Sequence, residues 1–341
     1  MKKNMLALIS RYRAEIMGVA ALWVLLVHEW RSIFGASILG RAERFFVAMG
    51  FYGVDFFLFL SGMGLVYAIG KYTLKEFYRR RFVRLLLPYL ITVPICALLR
   101  GWEFGAFLRA LVGWSFWMED MYTVLWYVYA IAALYLTFPL YYHFFRKARR
   151  KALFTALVLL VWFLASNALN GILRMDLYGF TNRIPIFLTG VLAGEMGKEK
   201  KEWHLSWKAW VLCIVMLMAG VVLHYLTYYK FLFVLVPSSE CFLPDYLITV
   251  SGVCLLAQFF SLLDRFAGAL GKEIRHFLGF LGGLSLELYC VQDMMLGRLQ
   301  ALMYDILPDW ASNLVNFWVI LFAAYIMQQL CAFLNKKLKF L

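Results

Sequence analysis

The run GVAALWVLLVH, residues 18–28, ends on His28. A neutral imidazole titrates near neutrality and is a natural general base. GVDFFLFLSG (53–62) carries Asp55, and LSLELYCVQD (284–293) carries Glu287. An ionisable group inside an apolar span is costly, and that cost points to function. A carboxylate beside an imidazole orients the ring and stabilises its charged form. The same residues admit a plainer reading, in which His28 bonds a neighbouring helix and Asp55 and Glu287 are buried anchors. Glu29 points about 100° away from His28 around a helix, so it is not the natural partner.

A second group is basic. Arg79, Arg80, Arg81 and Arg84 crowd the stretch YRRRFVRLLLPY. Arg81 and Arg84 are three apart and share a helix face. Two guanidinium forks on one face suit a phosphorylated ligand. The alternative is charge that sets topology or meets anionic lipid.

What must position these groups is a set of apolar helices. The chain has 341 residues, 64% of them hydrophobic and 16% charged, with a mean hydropathy of +0.74. A soluble domain holds about 45–50% apolar and about 25% charged residues. That excludes a soluble enzyme, a disordered chain and a disulfide scaffold, and the unbroken apolar runs speak against a porin-like barrel. The runs lie near 14–33, 46–69, 83–99, 124–145, 152–170, 183–197, 209–226, 242–263, 277–297 and 313–335. The expectation is an all-α, polytopic integral membrane protein of about ten transmembrane helices, forming a single domain over 1–341. The stretches 104–117 and 231–236 are apolar but too short to span, and are expected at the interface or as re-entrant pieces. No small-residue cleavage site follows the first apolar run, which is expected as a retained helix. The six cysteines match no zinc or disulfide spacing, and no metal is expected.

With both termini cytoplasmic, 25 of the 34 lysines and arginines fall in inside segments and 9 outside. This is the positive-inside pattern. It accounts for most of the net charge of +14, so the basic balance is no argument for nucleic acid. In this arrangement His28 lies roughly 21 Å from the cytoplasmic edge and Asp55 roughly 13 Å below the outer edge. Glu287 falls near the midplane and Gln292 beyond it. These depths overlap, so the four groups could share one cavity. A phosphorylated head held at Arg81 and Arg84 would lie about 20 Å from His28. A long acyl carrier with a flexible arm bridges such a gap.

Six stretches resemble the acyltransferase-3 family of membrane acyltransferases: residues 18–28, 53–62, RRRFVRLLLPY (79–89), LWYVYAIAALYLTFPL (125–140), RIPIFLTGVLAG (183–194) and 284–293. They occur in the family's order through most of the chain. The resemblance implies a membrane O-acyltransferase, transferring a group other than aminoacyl. The donor would be cytoplasmic acyl-coenzyme A, with acetyl-coenzyme A expected. The acceptor would be a hydroxyl on an extracytoplasmic carbohydrate or other molecule of the cell envelope. It assigns the family's histidine to His28, its donor-binding arginine pair to Arg81 and Arg84, and its Gly-Val-Asp acid to Asp55. The chain departs from the pattern at two places. Met17 stands where the family usually has an arginine, with Arg13 one turn earlier as its substitute. Gln292 stands near the place of a late histidine, with Glu287 close by. Buried His, Asp and Glu also serve proton relays, so a transporter or flippase of an envelope metabolite is the competing class. A non-catalytic relative is the third. The expected setting is the cell membrane; the oligomeric state is left open.

Overall fold

The computed structural model describes residues 4–119, 123–175, 177–199, 207–230, 242–295, 297–303 and 306–337, and these are α-helical with no β-strand. At the N-terminus α1 (Met5–Arg11) and α2 (Arg13–Glu29) are separated by Tyr12 alone, and α3 (Ile38–Ala48) and α4 (Tyr52–Ile69) follow. Next come α5 (Leu74–Arg100), the short α6 (Phe104–Leu111) and α7 (Trp114–Met118), α8 (Trp126–Lys147) and α9 (Lys151–Asn167). The chain continues through α10 (Tyr178–Thr181), α11 (Ile184–Lys198), α12 (Trp207–Lys230) and α13 (Phe242–Phe266). It ends with α14 (Gly268–Gly283), α15 (Ser285–Met295), α16 (Arg298–Met303) and α17 (Asp309–Lys337). Local sequence starts several of these helices. The side chains of Asn4, Ser37 and Thr73 accept the free N–H groups of Leu6, Gly40 and Glu76, as N-caps do.

Seven stretches are long and apolar enough to cross a membrane: Ile38–Ile69, Leu74–Arg100, Trp126–Lys147, Lys151–Ile172, Trp207–Lys230, Phe242–Phe266 and Asp309–Lys337. They match seven of the ten expected runs. The other three form α2 with 17 residues, α11 with 15, and the pair α14 and α15 with 16 and 11. At 1.5 Å per residue none of these reaches the roughly 30 Å of a hydrocarbon core. By length and composition alone, seven helices among the described residues qualify as membrane spans, against the about ten runs expected. The segment 104–117 forms the short α6 and α7, while 231–236 lies outside the described residues.

Burial separates inner from outer helices. The apolar window of α4 is 72% buried, whereas those of α9 and α12 are 11% and 17% buried. Apolar surface so exposed belongs against lipid. The inner helices approach backbone to backbone. A Cβ on Gly18 of α2 would stand 2.0 Å from the Leu278 carbonyl of α14, and one on Gly282 would stand 2.0 Å from that of Ala14. Between α4 and α11, Gly62 and Gly190 leave room in the same way, at 2.3 and 2.1 Å from the facing carbonyls. Small residues are what allow membrane helices to pack this closely. The result is a tight α14–α2–α4–α11 series that carries the polar groups.

Candidate active site

A cavity of about 530 Å³ runs beside α2. Arg11, largely exposed, stands at its mouth and pairs with Asp264 at 2.9 Å. Along α2 the cavity is lined by Arg13, Ala14, Met17 and Val24. The distance from Arg13 to Val24 is roughly 17 Å along the helix axis. α4 runs antiparallel to α2, because Gly53 packs on Ala20 while Arg13 Nε donates to the Leu60 carbonyl at 3.3 Å. Ser61 is therefore level with Arg13, and Val54 is near the level of Val24. Arg81 and Arg84 enter from α5, Tyr127 and Tyr135 from α8, and Tyr289 from α15.

Three guanidinium groups thus share one chamber. Arg84 donates to the Gly283 carbonyl at 3.3 Å. Arg81 lies 5.8 Å from the Tyr135 ring centroid and 5.9 Å from that of Phe77. Arg13 has its room because residue 64 is glycine; a Cβ there would stand 3.1 Å from its terminal nitrogen. Among the described residues none of the three is paired with a carboxylate, although Arg11, Arg80, Arg100, Arg183 and Arg275 all are. Unneutralised guanidinium groups converging on a cavity form an anion site.

His28 lies one turn beyond Val24, about 40° from it and about 20° from Met17 around α2. It lies on the same stripe of α2 but is not among the residues that line the cavity, roughly 22 Å from Arg13 along the axis. Its ring is exposed and has no hydrogen-bond partner among the described residues.

The expected carboxylates are elsewhere. Asp55 is completely buried in the first turn of α4, with Arg183 Nε 3.0 Å away. Arg183, the N-cap of α11, also lies over the Trp126 ring at 5.1 Å. Glu287 is buried on α15, and its Oε2 is bonded to nothing among the described residues. Neither acid is hydrogen-bonded to His28, and neither lines the cavity. Glu15, Glu29, Glu195 and Asp293 hold Arg275, Asn316, Lys151 and Arg100 at 3.5, 2.8, 2.7 and 3.5 Å. Met17 lines the cavity between the arginines and Val24, while Gln292 is buried in α15 away from it.

Two buried neighbours of Asp55 escape a reading of the sequence. Arg183 is visible only as a lone cation ahead of an apolar run. Asp245, 1% exposed in the first turn of α13, lies at a run's edge. Tyr52 joins this group through a hydrogen bond to Asp245, and its hydroxyl also lies 2.9 Å from His224 Nδ1. A search for a cation to neutralise Asp55 could have suggested Arg183; nothing in the spacing pointed to Asp245.

Helix lengths and lipid-facing exteriors define a multi-pass membrane protein, here with an arginine-lined inner cavity. The chain matches the acyltransferase-3 family model, described as an acyltransferase domain, over residues 17–334, and it belongs to that family of membrane acyltransferases. Neither a curated protein nor a solved structure matches it.

Proposed function

We propose that this protein moves an acyl group, acetyl in the first instance, from cytoplasmic acyl-coenzyme A to a hydroxyl of an extracytoplasmic carbohydrate or envelope molecule. The observation that carries the proposal is one cavity that holds three guanidinium groups without a carboxylate partner among the described residues and reaches Val24, one turn of α2 short of His28. Arg13, Arg81 and Arg84 hold the donor's phosphates. The flexible arm lies along α2 and brings the thioester towards His28. There the imidazole takes the proton of the acceptor hydroxyl, and the oxygen attacks the thioester carbonyl carbon. The carbon–sulfur bond breaks, the acyl group stays on the oxygen, and the thiolate leaves and collects the proton. Asp55 supports the site from a distance, by fixing α4 to α11 through Arg183. Glu287, buried on α15 beside the cavity-lining Leu286, supports the site without lining it. The cell membrane is the setting, with both termini cytoplasmic, as the distribution of basic residues favours.

The test uses the full chain in lipid nanodiscs with acetyl-coenzyme A and purified envelope glycans. Thiol release coupled to acetylated glycan is the expected result. His28→Ala is expected to bind coenzyme A like the wild type but to lose turnover by at least 100-fold, within the range for a general base. Full turnover by that variant discards the mechanism.

A further inference from the structure

A second cavity, of about 720 Å³, lies between the start of α9 and the last turns of α11, away from the arginine-lined one. Arg149, Arg150 and Lys151 stand on it from the α9 side, and Leu153, Leu192 and Met196 give it an apolar wall. It sits where two membrane-spanning stretches end, Trp126–Lys147 and Lys151–Ile172. In a bilayer that is the depth of the headgroups. The acids of the cavity are already satisfied. Glu195 takes the Lys151 ammonium at 2.7 Å and the Tyr142 hydroxyl at 2.7 Å, and Glu199 binds the same ammonium. Arg149 and Arg150 are exposed and, among the described residues, pair with no carboxylate. The turn that carries them joins α8, ending at Lys147, to α9, starting at Lys151, so it holds them at the membrane edge. Beyond them along α9, Leu153, Leu157, Leu160 and Leu164 are 51, 54, 54 and 61% exposed. Such a strip belongs against lipid chains.

We propose that this cavity seats the headgroup of an anionic phospholipid whose acyl chains run down the leucine strip of α9. Three cations, Arg149, Arg150 and Lys151, face two acids, Glu195 and Glu199, which leaves one positive charge. One phosphodiester cancels it. A zwitterionic headgroup brings its own cation and does not. Lys151 is committed to the two glutamates, so the two arginines are the groups that meet the phosphate, and a guanidinium fork matches its oxygens. A soluble anion would gain the same charge contact but leave Leu153, Leu192 and Met196 uncovered, whereas a lipid covers both. The distribution of basic residues puts this end of α9 on the cytoplasmic side, so the lipid comes from the inner leaflet, whose anionic surface attracts basic groups. The seat lies on the seam that Lys151 and Glu195 make between the lipid-facing α9 and the inner α11. This site is independent of the acyl-transfer reading.

The experiment takes the full chain, stripped of lipid in detergent, and titrates it with phosphatidylglycerol or phosphatidylcholine while native mass spectrometry counts the lipid retained. The wild type is expected to hold phosphatidylglycerol about 30-fold more tightly, the combined weight of two basic groups at a membrane surface. Arg149→Gln with Arg150→Gln should abolish that preference. Arg146→Gln with Lys147→Gln removes the same charge from the adjoining end of α8, outside the cavity, and should leave the preference intact. Leu192→Trp fills the cavity at unchanged charge and should lower phosphatidylglycerol retention about tenfold. Monodisperse elution and Tm without added lipid check that each variant is folded. Equal affinity of the wild type for the two lipids overturns the seat. So does an equal loss in the Arg146 and Lys147 variant, which reduces the effect to diffuse surface charge. Displacement of phosphatidylglycerol by soluble glycerol phosphate assigns the arginines to a free anion instead and overturns the lipid.

Discussion

Replacing Arg81 with glutamine tests the anion site most directly. A guanidinium has five N–H donors. Arg84 spends one on the Gly283 carbonyl and Arg13 one on the Leu60 carbonyl, whereas Arg81 only rests against the Tyr135 and Phe77 rings. With no carboxylate competing, Arg81 has the most bonding capacity left for a phosphate. A hydrogen bond to a charged partner contributes about 1.5–3 kcal/mol, equivalent to roughly 10- to 150-fold in affinity. Arg81→Gln should therefore weaken coenzyme A binding by that factor, and Arg84→Gln by somewhat less. The double variant should lose less than the sum, because neighbours on one ligand couple. Arg81→Lys should recover part of the loss, since it keeps the charge but not the planar fork. Titration calorimetry in nanodiscs measures all four variants. Pantetheine, which lacks the phosphates, is the control ligand, and its binding should not change. An Arg81→Gln variant that binds coenzyme A normally, or loses pantetheine equally, refutes the phosphate assignment.

Two further outcomes follow from the same geometry. Arg13→Ala should weaken coenzyme A binding about tenfold or more, and adding Met17→Arg should restore part of it, because residue 17 lines the same cavity one turn on; no recovery in calorimetry means that Arg13 does not act as the substitute. Arg183→Met should leave Asp55 buried and uncompensated, costing about 3–5 kcal/mol; Tm in detergent should drop, and Arg183→Met with Asp55→Leu should regain most of the loss. A single variant with unchanged Tm removes Asp55 from its anchoring role.

Asp55 shows where reading the sequence stops. Its type, its apolar surroundings and its depth are all legible along the chain, and so is its cost. Its partner is not, because Arg183 lies 128 positions away and reaches it only when glycine seams bring α4 against α11. The arginines show the converse. Arg81 and Arg84 share a face by helical periodicity alone, and Arg13 was a candidate through the family resemblance, as the substitute for the arginine that Met17 replaces. Their convergence on one chamber required α2 and α5 to meet around it.

The sequence alone determined that this is an all-helical membrane protein, that one helix from Arg13 to His28 covers roughly 22 Å, and which family's motifs it carries. Hydrophobic content, helical rise and residue order are one-dimensional quantities, so a chain can state them without folding. Tertiary structure decided that α14, α2, α4 and α11 pack through glycine seams, that Asp55 belongs to Arg183, and that Arg13, Arg81 and Arg84 share one cavity whose lining stops at Val24. Those are matters of which faces touch, and faces are matched by packing between segments far apart in the chain.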